Sequence, residues 1–332
     1  MINLVIDKND AGQRLDRFLR KYLHRAPLSA IYKMIRKDVK VNGKRAAQST
    51  VLKEGDELIL YLSEEQLRVY TERKFRQPSA RRTFRIIYED ENLIIVNKPA
   101  GLLTHGNSQE KKNTLVNQVV DYLIQQGEYI PGRSKSFSPA AVNRLDRNTS
   151  GMVIFGKRAE ALRDAAAMIR EKNCIEKRYL AVVRGIFEEH TILTGAAKKN
   201  EEKNQVSVSR DPGGEGRTIL TEVTPVVSGS GMTLLDVNLI TGRTHQIRAH
   251  LASEGFPVIG DPKYGGRGIN KEMEEKYGLK SQFLHAWRLE FQVAYGSLSG
   301  MKGKILIDPL PESLERMACR IFGDKWKTIY DS

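Results

Sequence analysis

Apolar and polar positions follow a helical period near the start of the chain and alternate soon afterwards. Apolar residues recur at helical spacing over residues 15–22, and a second apolar face follows Pro27, with Ser29 as the predicted N-cap. Residues 39–41 and 57–61 alternate and predict short strands. The pattern predicts a small α+β domain over residues 1–62.

A second, larger region follows a stretch with almost no apolar periodicity. Residues 63–83 are polar and charged and predict a linker. Beyond it the apolar pattern predicts a helix over residues 160–171 and six strands: 85–88, 93–96, 152–155, 179–183, 218–227 and 232–239. Hairpins outnumber strand–helix–strand units, so we predict an α+β fold with a mixed, mainly antiparallel sheet over residues 84–322.

The net charge of the chain indicates what kind of molecule it binds. The 332 residues contain 54 Lys or Arg against 40 Asp or Glu, a net charge of +14. Residues 1–60 alone hold 13 basic and seven acidic side chains. Such an excess predicts a polyanionic partner or an anionic membrane surface. The basic side chains on the two predicted N-terminal helices favour RNA binding over a merely solvated surface, and charge alone leaves DNA open: Arg14, Arg17, Lys33, Arg36 and Lys37.

Other features of the composition exclude several classes of protein. The chain has no apolar run of about 18 residues, which a membrane-spanning helix needs. Its first eight residues predict a strand and not a secretory signal. Cys174 and Cys319 are too few for a disulfide framework or a cysteine-based zinc site. We therefore expect a cytoplasmic protein with reduced thiols.

A short polar stretch before the predicted strand 152–155 is the most informative part of the chain. There Asp146 lies between Arg144 and Arg147, and the stretch ends at Gly151. Neighbouring cations favour the ionised carboxylate. Taken alone, the pattern also fits a surface loop with an ion pair.

Two further stretches carry polar groups next to predicted strands. Arg243 is expected at the start of a helix that also contains His245, Arg248 and His250, but zinc is disfavoured because no carboxylate or cysteine stands at ligand spacing. This stretch alone would fit a helix N-terminus that binds phosphate. Tyr179 is expected at the start of a strand, where a tyrosine is most often a half-buried packing residue.

Together, these stretches resemble a known family. Residues 143–151, Asn-Arg-Leu-Asp-Arg-Asn-Thr-Ser-Gly, resemble a signature of the ribosomal large-subunit pseudouridine synthases. Residues 177–179 and 242–248 resemble that family's other two motifs, in the same order, and segments 98–101, 260–265 and 284–286 also look similar. The match runs from about residue 84 to 310, while residues 1–62 resemble an RNA-binding domain named after ribosomal protein S-four.

The resemblance implies roles for individual residues. Asp146 would act at the ribose, either by attacking C1′ or by removing the 2′ proton. Arg243 would be the cation paired to Asp146, and Tyr179 would stack on uracil and help to remove the C5 proton. Arg144 would enter the space left by the flipped base. The predicted substrate-binding residues are Arg144, Arg147, Ile247 and Arg248, and no cofactor or metal is expected.

The resemblance also implies a partner and leaves alternatives. We expect structured RNA, above all large-subunit rRNA, bound by a monomer with no membrane contact. The same chemistry on tRNA, or a non-catalytic RNA-binding assembly factor, are the alternatives. Asn143 stands where many family members have His, and we expect altered loop hydrogen bonding without loss of activity.

Overall fold

A helix pair packed on a small sheet forms the N-terminal unit. In the computed structural model, which describes residues 1–72, 80–200 and 205–331, helices α1 (Leu15–Tyr22) and α2 (Leu28–Lys37) are amphipathic, as the sequence predicts. The four strands are antiparallel in the order β1-β4-β2-β3: β1 Ile2–Val5, β2 Val39–Val41, β3 Lys44–Arg45 and β4 Glu57–Leu60. Phe18 and Leu58, both fully buried, lie in the core between helices and sheet.

The structure differs from the sequence prediction at two places in this unit. Helix α2 begins directly after Pro27, which holds the N-cap position in place of Ser29. A third helix, α3 (Glu64–Thr71), lies in the segment predicted as a linker; it opens with a capping box in which Ser63 and Gln66 satisfy each other's backbone N–H groups. Its Leu67 and Tyr70 pack on the N-terminal core, and residues 73–79 of the predicted linker lie outside the described residues.

An eleven-stranded sheet organises the rest of the described chain. The main path runs β11-β10-β12-β13-β9-β14-β8-β6-β5, with β15 on β14 and β7 on β8. Among the strand pairs that the described residues form in this sheet, only β14–β8 is parallel, which confirms the predicted mixed, mainly antiparallel sheet. The strands are β5 Arg85–Glu89, β6 Leu93–Lys98, β7 Ala140–Ala141, β8 Ser150–Gly156, β9 Ile175–Arg184, β10 Thr191–Asn200, β11 Gln205–Ser209, β12 Arg217–Gly229, β13 Met232–Asn238, β14 Leu284–Phe291 and β15 Ile305–Ile307.

Alternation along the central strands gives this sheet two buried faces. In β9, Tyr179, Ala181 and Val183 face one core cluster, while Leu180 and Val182 face another. The helices that cover the faces are α4 Leu115–Gln125, α5 Ala159–Arg170, α6 Gln246–Ser253, α7 Arg267–Tyr277 and α8 Glu312–Phe322, with 3₁₀ helices at Gly296–Met301 and Gly323–Asp331. None of the helices in the described ranges is long and apolar enough to cross a membrane.

Candidate active site

The loop that carries Asp146 is tied down along its length. It leads into β8, and the side chain of Asn143 accepts a hydrogen bond from Ile154 N at 2.8 Å and donates to Met152 O at 3.4 Å. Leu145 is buried, and the backbone N–H of Thr149 donates to Asp146 O at 3.1 Å. The amide at position 143 therefore fastens the start of this loop to the strand that follows it.

A buried lysine fastens the other side of the same loop. Lys98, fully buried at the end of β6, donates from Nζ to the carbonyls of Pro99, Leu102 and Arg147, each at 2.9 Å. Burial lowers the pKa of Lys98 to about 7, and the charge of Asp146 opposes that shift. Three acceptors match the three protons of an ammonium group, so Lys98 joins the loop after β6 to the loop that carries Asp146.

The close approach of β8 and β14 fixes the position of the Asp146 loop relative to the sheet. Gly151 has φ +114°, and a Cβ placed on it would lie 2.3 Å from Ala286 O in β14. Only glycine allows both this backbone conformation and this contact. The final glycine of the motif therefore permits the parallel β8–β14 pairing that begins directly after the loop.

The cation bound to Asp146 is Arg248. Its Nη1 donates to Asp146 Oδ2 at 2.8 Å, while Nε and Nη2 donate to Asp261 Oδ2 and Oδ1 at 2.6 and 2.8 Å. Burial alone would lower the pKa of Arg248, but the hydrogen bonds and charges of Asp261 and Asp146 outweigh it and raise the pKa. Arg248 thus remains charged while it is held bidentately by a fully buried carboxylate.

The predicted pairing of Arg243 with Asp146 is wrong. Helix α6 begins at Gln246, and its N-cap is His245, so Arg243 precedes the helix and is exposed at the rim of the cavity. Arg248 lies in the first turn of α6 and faces inward. The pairing with Arg243 was what the family resemblance implied, and the structure places the other arginine of the motif, Arg248, against the carboxylate.

Tyr179 lies in the interior of a strand and not at its start. It is the fifth residue of β9 and only 5% exposed. Burial and the nearby charge of Asp146 both raise the pKa of its hydroxyl, so the side chain is a phenol at neutral pH. This ring forms one wall of the cavity that Asp146 borders.

Most of the predicted catalytic and substrate-binding residues line one cavity. These are Arg144, Asp146, Tyr179, Arg243, Ile247 and Arg248. Arg147 is the exception, because its guanidinium turns to Glu110 and donates to Oε2 at 3.0 Å. A second recess shares Arg144, Tyr179 and Arg243 and adds Lys177. The two recesses form a basic groove with a single carboxylate, Asp146, on its wall.

Two residues of this site escaped sequence reasoning. Asp261 and Tyr264 lie in segment 260–265, which the sequence marks only by likeness to family members. Tyr264 Oη accepts from Val206 N at 2.9 Å and lies 3.1 Å from His245 Nδ1, and the Arg248 guanidinium stacks 5.4 Å from its ring centre. Their separation from Asp146 along the chain left no local pattern to find.

His245 stands between Tyr264 and Asp146. Its backbone has φ +51°, a left-handed conformation that is uncommon for histidine, and its Nε2 lies 4.0 Å from Asp146 Oδ1. Burial lowers the pKa of His245, with Asp146 opposing, so the ring is neutral at pH 7. The backbone strain therefore turns a neutral imidazole toward the carboxylate.

The predicted RNA-binding side chains lie on the outside of the N-terminal unit. Arg17, Lys33, Arg36 and Lys37 are exposed on α1 and α2. Arg14 caps α1 and forms a two-pronged ion pair with Asp16, at 3.0 and 2.9 Å. Within the described residues, no three His, Cys, Asp or Glu side chains cluster as metal ligands would.

Comparison with known proteins adds to this geometry. Residues 92–253 match the model of the family described as RNA pseudouridylate synthase. The chain is 34% identical over 294 residues to ribosomal large subunit pseudouridine synthase C of Vibrio parahaemolyticus, covering 86% of this chain and 87% of the relative. The protein of the same name from Escherichia coli is 33% identical over 307 residues, covering 87% and 88%.

Solved structures share the fold. Human RNA pseudouridylate synthase domain containing 4 superposes with a TM-score of 0.52 at 21% identity, over 71% of this chain and 93% of that one. Human RNA pseudouridylate synthase domain containing 1 gives 0.50 at 21% identity, over 72% and 94%. At this level of identity the likeness concerns the fold alone.

Proposed function

The chain belongs to the RNA pseudouridylate synthase family and is an RNA pseudouridine synthase, and we propose that its substrate is large-subunit ribosomal RNA. Relatives at 33–34% identity over 86–87% of the chain are named as ribosomal large-subunit enzymes. The excess of basic residues at the N-terminus agrees with a large structured RNA. Neither tRNA nor a purely structural role is favoured by these names.

The observation that supports the mechanism is one carboxylate, Asp146, held by Arg248 in a cavity next to Tyr179. An ionised carboxylate in a partly dry pocket needs a fixed cation, because burial alone favours its neutral form. Arg248 supplies that cation, and Asp261 holds it from behind. With Oδ2 bound to Arg248, Oδ1 is the oxygen left for the substrate.

In the reaction, Asp146 acts at the ribose of a flipped uridine. It either bonds to C1′ as the N1–C1′ bond breaks, or removes the 2′ proton to leave a glycal-like sugar. The released uracil then turns so that C5 bonds to C1′, and the C5 proton leaves last. Each route returns the carboxylate at the end of the cycle, so no co-reactant is consumed.

Tyr179 serves as the stacking surface and in the late proton transfer. Because its pKa is raised, the hydroxyl cannot take the C5 proton unless it passes on its own proton. Asp146, whose charge acts on the same hydroxyl, is the acceptor in the cavity. The proton would pass from C5 to Tyr179 Oη as the phenolic proton moves to the carboxylate. Asp146 would then give a proton to uracil N1, which became anionic when the N1–C1′ bond broke, and this restores the carboxylate.

The remaining arginines of the groove hold the RNA. Arg144 is exposed at the rim of both recesses, where it can fill the space that the flipped base leaves. Arg243, which does not pair with Asp146, takes the role of a second phosphate-binding cation in the same groove. Arg147 would reach RNA only by leaving Glu110.

The N-terminal unit adds affinity. Residues 1–62 are proposed as an S-four-type RNA-binding domain whose exposed cations meet phosphates. The protein is proposed to act as a monomer in the cytoplasm, where rRNA is made and thiols stay reduced.

Pseudouridine mapping in cells with and without the gene tests the proposed function. One or more large-subunit rRNA sites should be lost in the deletion and restored by the wild-type gene, but not by Asp146→Asn. Loss of tRNA sites with rRNA unchanged would overturn the substrate assignment. The same map identifies the modified uridines.

A further inference from the structure

A buried carboxylate joins the N-terminal unit to the catalytic domain. Asp10 is fully buried in the N-terminal unit. Its carboxylate accepts hydrogen bonds from residues 134–136 of the catalytic domain. Ser134 Oγ and Lys135 N donate at 3.0 Å, Ser136 N at 2.8 Å and Ser136 Oγ at 2.5 Å. Four donors balance a buried charge well, so this contact is costly to open.

Contacts around Asp10 fix the angle between the two parts. Asn9 Oδ1 accepts from the backbone N of Ala159, the first residue of α5, at 3.2 Å, so a residue of one unit caps a helix of the other. Gln13 Nε2 donates to Ser136 Oγ at 2.7 Å. Contacts on both sides of Asp10 resist rotation as well as separation.

The backbone itself comes close at this seam. Arg163 Nη1 donates to Ala11 O at 3.0 Å, and a Cβ added to Gly12, which has φ +73°, would lie 2.9 Å from Arg163 Nη2. The guanidinium of Arg163 therefore lies directly against the N-terminal chain, at the base of α1.

Docking brings cations of both parts together. Lys21 of α1 donates to Gln13 Oε1 at 3.1 Å, one turn along the helix from Arg17, and Gln13 follows directly on the residues that Arg163 contacts. Partial burial lowers the pKa of Lys21, as do the charges of Arg163 and Arg17, while Asp10 opposes them. Like charges held this closely repel one another, and a bound polyanion would relieve that repulsion.

Helix α5 leads from this cluster to the active site. Arg163 lies in its second turn, and Ile169, six residues on, lines the recess that Asp146 and Tyr179 border. At about 1.5 Å of rise per residue, the two positions are about 9 Å apart along the helix. A strand of RNA that crosses Arg163 would thus be near the target pocket.

We propose that the seam formed by Arg17, Lys21 and Arg163 is a fixed phosphate-binding surface for the RNA strand next to the target uridine, and that Asp10 locks it in place. The proposal rests on the proposed function only in that the partner is RNA. It assigns to Asp10 a positioning role, since its carboxylate is fully buried and faces residues 134–136. It also makes the two domains one rigid recognition surface and not a binding module on a tether.

Charge removal at the seam is the first test. Arg163→Gln and Lys21→Gln should each weaken binding of a large-subunit rRNA fragment about three- to tenfold. Each should also lower the slope of log affinity against log salt by about 0.7–0.9, because one phosphate contact is lost. Lys280→Gln removes the same charge from an exposed loop between α7 and β14 and should change neither. Seam variants that bind like Lys280→Gln would overturn the proposal.

Opening the lock is the second test. Asp10→Asn keeps the shape but sets an amide N–H₂ against donors, so the domains should separate, as X-ray scattering of the full chain would measure. Affinity for the long fragment should fall at least as far as in Arg163→Gln, while turnover of a short hairpin that holds only the target stem should stay at the wild-type rate. Ser136→Ala, which removes one donor, is the milder variant to use if Asp10→Asn does not fold.

The outcomes separate this proposal from the proposed function. Equal losses on the hairpin and the long fragment would mean that Asp10 only maintains the fold, and the seam would be rejected. A wild-type enzyme that modifies neither rRNA substrate would instead count against the proposed function. In that case the slope of log affinity against log salt, measured with the RNA that is modified, would still test whether the seam binds phosphate.

Discussion

The catalytic cavity and the N-terminal unit are both rich in arginine and lysine, yet they differ in how those charges are balanced. In the cavity, the Arg248 side chain is 5% exposed and bound by two carboxylates. On the N-terminal helices, Arg17 and Lys33 are exposed, and among the ion pairs of the described residues none joins them to a carboxylate. The first arrangement controls a reacting group, and the second is suited to meet a polyanion.

This difference decides how sensitive each region is to substitution. Replacing either partner of a buried ion pair is costly, because the other partner is left as an uncompensated charge. Exposed cations contribute separately and are screened by salt. We therefore expect single changes in the cavity to act on turnover, and changes on the helices to act on affinity and on its salt dependence.

The largest effect should come from Asp146→Asn. The substitution keeps the shape and the contact with Arg248 but removes the charge, so turnover should vanish while RNA affinity and thermal stability stay near wild type. Single-turnover assays with purified protein measure the first, and filter binding the second. Substantial pseudouridine formation by this variant would show that the Asp146 carboxylate is not the reacting group of the cavity.

Tyr179→Phe should act next most strongly, with a loss of about 10²–10⁴-fold in product formation. The ring is kept and the hydroxyl removed, so RNA binding and glycosidic cleavage should persist while loss of the C5 proton stalls. RNA with 5-fluorouridine at the target has no C5 proton to lose, and the variant should process it to the rearranged product nearly as well as wild type. Equal defects on both substrates would assign the hydroxyl to an earlier step.

The two arginines of the third motif provide a matched pair. Arg248→Lys keeps the charge but loses the fork that bridges Asp146 and Asp261, so kcat should fall about 10²-fold. Arg243→Lys, at the exposed rim, should chiefly raise KM and keep kcat within a few fold. If Arg243→Lys were the more damaging to kcat, the cation assignment made from the structure would be wrong.

The same pair indicates what the sequence alone can and cannot predict. Strands β6, β8, β12 and β13 were predicted correctly because their apolar patterns are local. The start of α6 was not, because His245 adopts a left-handed backbone that the sequence does not signal. The predicted start lay three residues too early, just under one helical turn, whereas the choice of Arg243 over Arg248 came from the family resemblance.

Other misses have the same physical origin. Asp261 is 115 residues from Asp146 along the chain, so only the folded sheet brings them to one arginine. Helix α3 is different, because its capping box, Ser63 and Gln66, stood in the sequence but was outweighed by the weak apolar pattern that follows. Long-range partners cannot be read from a single chain, whereas this cap could have been.

The N-terminal helices should respond to charge removal in the opposite way to the cavity. Replacing Lys33, Arg36 and Lys37 together by Gln should weaken RNA binding about 10- to 100-fold and flatten its salt dependence by up to about 2.7 in log–log slope. Single-turnover rate at saturating RNA should be unchanged. The triple change of Lys280, Lys302 and Lys325, exposed on the catalytic domain, is the control and should have little effect on either quantity. A fall in the single-turnover rate would show that the two regions are not separable.

We expect the smallest effect from Tyr264→Phe. This change tests whether Tyr264 sets the tautomer of His245, the neighbour of Asp146. Val206 N donates to the Tyr264 oxygen, and the hydroxyl proton of Tyr264 can donate to His245 Nδ1. We predict that this bond selects the tautomer with the proton on Nε2, the nitrogen that faces Asp146. Without the hydroxyl both tautomers are populated, and kcat should fall about tenfold with KM unchanged.

Histidine NMR of the full chain would measure the tautomer directly, independently of activity. Because burial lowers the pKa of His245, wild type should hold one neutral tautomer from pH 6.5 upward, and the ring should gain a second proton only at lower pH. In Tyr264→Phe the resonances should report a mixture over the same range, while Tyr129→Phe, which removes the hydroxyl of another half-buried tyrosine, should leave them unchanged. A single unchanged tautomer in Tyr264→Phe would mean that Asp146 itself orients the His245 ring. Tyr264 would then have no part in controlling the tautomer.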